Sequence, residues 1–373
     1  MKRWYTGMDC SSLEEVERCG GRFFDNRKEQ DCLHILHSYG TDLIRLRLWN
    51  DPYSEAGEPY GGGTNDLPCV IRLAKRAAAL GMDWLLDFHY SDFWADPGKQ
   101  YVPKAWRAMN GEELENAVYR YTRQTLQSLQ GLGLLPQMVA IGNEVTNGLL
   151  WPNGRKPAYP EIARLISAGI RATREIDCDI FVMIHLDNGG RNDLYRDWFD
   201  NYLANGGEEF DCIGLSYYPF WHGTMDDLGG NMNDLARRYG KPLIVAETST
   251  GFSIEEYRAK EEISIGVGRG MAATLELAKR VPFPMTQNGQ TAFIQALTER
   301  IRAVPDELGC GFIYWEPAWL PVEGTGWATK AGCEYIGETG YGGNEWANQA
   351  LFDYQGNVLP TLKMIRDLEV QAR

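Results

Sequence analysis

Short apolar runs recur along the chain, and between them apolar residues return at every third or fourth position. The runs are 4–9 (WYTGMD), 42–49 (DLIRLRLW), 83–89 (DWLLDFH), 137–143 (QMVAIGN), 179–186 (DIFVMIHL), 211–217 (DCIGLSY), 242–247 (PLIVAE) and 310–315 (CGFIYW). Each has the length of a buried strand. Amphipathic helices are predicted between them, for example over 67–81, which closes on Gly81 as a C′ residue, and over 160–176. Eight strands alternating with helices imply parallel pairing and a closed (β/α)8 TIM barrel. No G-x-G-x-x-G follows the first strand, which argues against a dinucleotide-binding sheet. No linker, repeat or low-complexity tail divides the chain, so residues 1–373 read as one catalytic domain. The longest strand-to-helix connections, 50–66, 90–110, 248–264 and 316–350, belong to the face of such a barrel that carries active sites.

Composition narrows the function classes. A net charge of -14 excludes the basic footprint of a nucleic-acid partner. Twelve tryptophans and 19 tyrosines suit a carbohydrate cleft, since sugars lay their C–H faces on aromatic rings, although a large barrel core also holds many rings. The eight cysteines form no C-x-x-C and no dense framework, so they read as reduced core residues rather than zinc ligands or disulfides. The first residues, MKRWYTGMDCSS, have no apolar core of a signal peptide, and no run is long enough to span a bilayer. A cytoplasmic location and no membrane partner are the expectation, unless a leader has been trimmed.

Chemistry concentrates at the strand ends. Glu144 follows the fourth run and Glu247 ends the seventh. A carboxylate at the end of an apolar strand is costly unless used or paired. Two of them, on strands 4 and 7, face each other across a barrel mouth. Such a pair suits retaining glycoside hydrolysis, in which one carboxylate attacks the anomeric carbon and the other protonates the leaving oxygen. Asn143, just before Glu144, offers an amide to a sugar 2-OH. Arg45 and Arg47 share the inward face of strand 2. Arg47, nearer the mouth, is expected to hold Glu247, and Arg45 to form a structural ion pair. The loop DFHYSDFWADPGKQ carries His89, Asp92, Trp94, Asp96 and Lys99, a mixture of hydrogen-bonding groups and rings that sugar sites use. After strand 6, Tyr217 or Tyr218 is placed to reach the nucleophile, and Trp221 and His222 to line a subsite. His185 ends strand 5, with a core role equally open. Trp315 is expected as the floor under the cleaved sugar, followed on the same loop by Trp346 and Asp353. His34 and His37 read as ordinary helix residues.

The segments LLDFHYSDFWADPGKQ, IGNEVTNGLLWP, IGLSYYPFWHG, YWEPAWLP and WANQALFDYQG, with YTGMDCSS near the start, resemble in order the motifs of the arabinogalactan endo-β-1,4-galactanases, glycoside hydrolase family 53 of clan A. The resemblance covers nearly the whole chain. It implies a (β/α)8 barrel, Glu144 as acid/base, Glu247 as nucleophile, and β-1,4-galactan or derived galacto-oligosaccharides as substrate. Phe93 departs from the smaller polar residue expected there. The loop after Glu247 lacks the Tyr-Pro that usually follows the nucleophile. It also lacks the acidic run associated with the calcium site of some bacterial members, so no metal or other cofactor is expected. Another clan A β-glycanase, a β-mannanase or β-glucanase, shares the two glutamates and Asn143 and differs at the motifs of strands 3, 6 and 8. A sugar-binding barrel without catalysis would lack a carboxylate. A reductase barrel would need a Tyr/Lys/His/Asp set and a phosphate site, and neither is evident.

Overall fold

A computed structural model describes residues 3–257 and 274–372. Eight parallel strands, numbered here β1 to β8, close into a barrel: Tyr5–Asp9, Leu43–Leu48, Asp83–Phe88, Met138–Ile141, Phe181–Leu186, Cys212–Ser216, Leu243–Thr248 and Gly309–Trp315. Each pairs with its sequence neighbours, and β1 closes on β8. The fold is the (β/α)8 barrel read from the sequence. The helix Leu67–Ala79 begins on Asp66, whose side chain accepts from Cys69 N, and its chain leaves through Gly81 at φ 76°. Tyr159–Ile176 is the second expected helix. Among the described residues no helix is long and apolar enough to cross a membrane.

Strand alternation sorts side chains between two cores. Outward residues such as Ile44, Leu46, Leu48, Leu86 and Val182 pack against the helices. Inward residues at the barrel's lower end, including Leu43, Leu85, Met138, Met183 and Ile244, form a compact apolar plug. Above it the inward positions turn polar: Asp9, Arg45, Arg47, Asp87 and His185 are all buried. A third layer roofs this level with Trp49, Phe93, Trp315, Trp319 and Trp327. Phe93 belongs there, edge-on to Trp49 at 5.2 Å and to Tyr60 at 5.7 Å, so a polar side chain at that position would lose this packing. The loop after β8 holds its own short helix, Lys330–Tyr335, started by Thr329, whose hydroxyl accepts from Gly332 N. Part of the loop expected after β7, residues 258–264, lies outside the described residues.

Candidate active site

Two local backbone features bring the glutamates to the mouth. β4 ends at Ile141, and the chain then turns through Gly142 at φ 85° to Glu144 at φ 47°. A left-handed glutamate is uncommon, and Gln100 Nε2 steadies this turn by donating to Asn143 O at 2.8 Å. Glu247 depends on a bulge. Ile244 and Ala246 both face the inner plug, so strict alternation would turn residue 247 outward. Against β6, however, Gly214 pairs with Ile244 while Ser216 pairs with Glu247, so β7 gains one residue. The extra residue re-aims Glu247 into the mouth, a common use of bulges beside active sites. One oxygen of Glu144, one of Glu247 and a ring nitrogen of His185 lie within 4.8 Å of one another.

Glu247 is gripped at both oxygens. Arg45 Nη1 donates to Oε2 at 2.7 Å and the Tyr218 hydroxyl donates to Oε1 at 2.8 Å. The sequence reading assigned the arginine role to Arg47, and the structure corrects this. Arg45 also reaches Asp87 and Asn143 Oδ1, each at 2.7 Å, and stands 3.1 Å from Asp9. Two residues along a strand raise a side chain by roughly 6–7 Å, so Arg47 passes above Glu247 and pairs with Asp9 at 3.1 Å and with Glu316. Its guanidinium lies 4.5 Å from the Trp94 ring centre and 6.0 Å from that of Trp315, bracing two rings of the cleft.

The electrostatics differ across the site. Burial, the facing charge of Glu247 and Asp187 together push the Glu144 carboxyl well above the usual range, offset in part by a hydrogen bond from Ser216. Burial alone would raise Asp87 as well, but Arg45 and His89 hold it below the usual carboxylate range. Burial raises Glu316 to about 7, with Asp9 adding to the rise and Arg47 opposing it. Burial followed by Arg45 lowers His185 to about 3, so it is neutral beside Ser216 Oγ at 2.8 Å. Among the described residues, Arg45 alone touches Asp9, Asp87 and Glu247 together. Replacing it by Leu leaves Asp87 and Glu247 buried without a guanidinium partner, while Asp9 keeps Arg47, and a loss of about 3–5 kcal/mol is expected. Urea unfolding measures this, and a loss below about 1 kcal/mol would contradict the network's role.

The cleft holds a volume of about 280 Å³. Of the residues singled out in the sequence, Arg47, His89, Trp94, Asp96, Lys99, Asn143, Glu144, Tyr218, Trp221, His222, Glu247, Trp315 and Trp346 line it. His89 Nδ1 accepts from Trp49 Nε1 at 3.1 Å and from Ala95 N at 3.2 Å, which leaves its Nε2 proton for Asp87 at 3.1 Å. Three candidates fall elsewhere. Asp92 is buried and accepts from Asp51 N, Lys104 N and the Tyr335 hydroxyl, tying loops together. Asp353 shapes its own turn, accepting from Gln355 N at 3.0 Å and Asn357 N at 2.8 Å. His185 sits fully buried behind the glutamates rather than in the wall. Two polar lining residues lie outside the sequence-based set, Asp187 and Gln349. Asp187 follows the apolar run of strand 5, the same signal that singled out Glu144.

A (β/α)8 barrel carrying two close carboxylates in an aromatic-lined cleft defines the class of the retaining glycoside hydrolases. The model of glycosyl hydrolase family 53 matches residues 5–365, and the chain belongs to that family. It is 37% identical to the endo-β-1,4-galactanase of Bacillus subtilis (strain 168), over 99% of this chain and 86% of that one. It is 33% identical to the arabinogalactan endo-β-1,4-galactanase of Cellvibrio japonicus (strain Ueda107), over 99% of this chain and 93% of the relative. The solved catalytic domain of that family from Ignisphaera aggregans superposes with a TM-score of 0.89 at 38% identity, covering 98% of this chain and 96% of the domain.

Proposed function

We propose that this protein is an endo-acting, retaining hydrolase of β-1,4-galactan, with Glu247 as nucleophile and Glu144 as acid/base. The observation that carries the mechanism is the approach of the two carboxylates to within 4.8 Å. Retaining pairs stand about 5–5.5 Å apart, whereas inverting pairs leave about 6.5–9.5 Å for a water. The substrate class rests on family membership and on relatives named for galactan. In the first step a Glu247 oxygen bonds to the anomeric carbon as the glycosidic C–O bond breaks, and the Glu144 proton passes to the leaving oxygen. In the second, water gives a proton back to Glu144 and its oxygen displaces Glu247, restoring the β configuration.

The surroundings fit these roles. Glu144, raised by burial and by Glu247, is biased toward the protonated form an acid needs. Arg45 and Tyr218 orient Glu247 for attack. Asn143 Nδ2 spends one proton on Ala95 O at 2.8 Å and retains a second for a sugar hydroxyl. Trp94, Trp315 and Trp346 supply the ring faces. Purified protein is expected to release soluble oligosaccharides from linear β-1,4-galactan, with β-mannan and β-glucan cleaved at least about 100-fold more slowly. Preferential cleavage of mannan or glucan would move the substrate to another clan A class while leaving the two carboxylates in their roles.

A further inference from the structure

A second cavity, of about 390 Å³, lies beside the cleft and is lined by Tyr101, Arg107, Trp151, Asn153 and Tyr335 among others. Its walls come from three loops that also build the catalytic cleft. The loop after β3 gives Asp96 and Lys99 to the cleft and Tyr101 to the cavity. The loop after β4 gives Glu144 and then Trp151, and the loop after β8 gives Trp327 and then Tyr335. The backbone joins the two places directly: Trp151 N donates to Gln100 O at 2.7 Å, Tyr101 bridges Trp151, and Gln100 Nε2 holds the turn before Glu144. The second cavity is therefore built on the same three loops as the cleft.

Its chemistry matches the first. Tyr101 is 39% exposed, a large aromatic residue kept at the surface. Arg155 covers the Trp151 ring at 4.4 Å, and Tyr60 stacks on Tyr335 at 4.8 Å, so both rings are fixed before any ligand arrives. Arg107 and Asn153 add polar ends at the rim. Fixed rings with a few polar groups are what a neutral sugar chain needs: a flat apolar face for the C–H surface and donors for hydroxyls.

We infer that this cavity is an additional carbohydrate subsite that holds a remote part of the β-1,4-galactan chain being cleaved. The inference rests on the galactanase reading for its ligand. Residues bound there lie beyond the reacting sugars, so the site adds affinity for long chains and touches no bond-breaking step.

Steady-state kinetics of Tyr101→Ala and Trp151→Ala on linear galactan and on a short aryl β-galactobioside test it. Each variant is expected to raise KM for the polymer about fivefold, with kcat unchanged and the short substrate unaffected. Tyr101 is exposed enough that its removal leaves the fold intact, so it carries the test if Trp151→Ala does not fold. Equal polymer KM in Tyr101→Ala and wild type would overturn the second subsite while leaving galactan hydrolysis standing. No cleavage of galactan by the wild type would overturn the underlying reading, and with it the ligand assigned here.

Discussion

Replacing Glu247 by Ala is expected to lower kcat on β-1,4-galactan by roughly 10⁵-fold, the scale seen when a catalytic nucleophile is removed. No neighbour replaces it. His185 is neutral and buried, and Glu144, in the proposed mechanism, serves the leaving group instead. The loss also frees Arg45 and Tyr218 of their shared partner, leaving a small gap where the carboxylate stood. Azide fits that gap. On an activated aryl galactoside it is expected to restore turnover and give the α-galactosyl azide, because a single displacement inverts the centre. A β-azide from this variant would transfer the nucleophile role elsewhere.

Glu144→Gln gives the second large effect, with the opposite stereochemical signature. Loss of a positioned general acid costs about 10²–10⁴-fold on galactan, whose leaving sugar hydroxyl needs a proton. Aryl galactosides, with leaving groups that depart as phenolates, lose much less in the bond-breaking step. Water then attacks the glycosyl-enzyme without its base, while azide needs none, so azide accelerates turnover and yields the β-azide. The pH profile separates this role from a structural one. Burial, Glu247 and Asp187 raise the Glu144 carboxyl, so its protonated form, the active one, prevails below the raised value. Wild-type activity on galactan therefore falls as pH rises through that value. In Glu144→Gln the alkaline fall is expected to vanish. An unchanged alkaline limb would assign it to another group.

Much of this was legible in the chain because it follows short-range rules. Apolar runs with helical stretches between them gave the eight strands, and Gly81 marked a real helix end. Glu144 and Glu247 stood out as carboxylates closing apolar strands. What failed depended on depth and register. Arg45 and Arg47 lie on one strand face, and only the barrel's packing shows which level meets Glu247. The bulge in β7 adds one residue without any marker in PLIVAET, yet without it Glu247 would face the helices. Asp92 and Asp353 looked like ligand groups because polar loop residues share one appearance, whether they bind sugar or hold the loop's own amides. Asp187 closes the apolar run of strand 5 as Glu144 closes that of strand 4, so its place in the cleft is legible from the same signal.

The buried charges beneath the cleft make a connected support. Arg45 links Asp9 and Asp87 to Glu247, and Arg47 links Asp9 and Glu316 to the rings of Trp94 and Trp315. Asp9 joins the two guanidiniums, so Glu247 and the aromatic platform rest on one network. Side chains fixed in this way meet the reacting sugar with little reorganisation, the condition under which charged groups stabilise a transition state best.

The central claim is that Glu144 and Glu247 act as a retaining pair on galactan, and proton NMR of the first products from linear β-1,4-galactan tests it most directly. New reducing ends are predicted to appear as the β anomer, with the α anomer growing only as mutarotation proceeds, and both signals lost in Glu247→Ala. Initial release of the α anomer would show inversion, and would contradict the double displacement drawn from the two carboxylates.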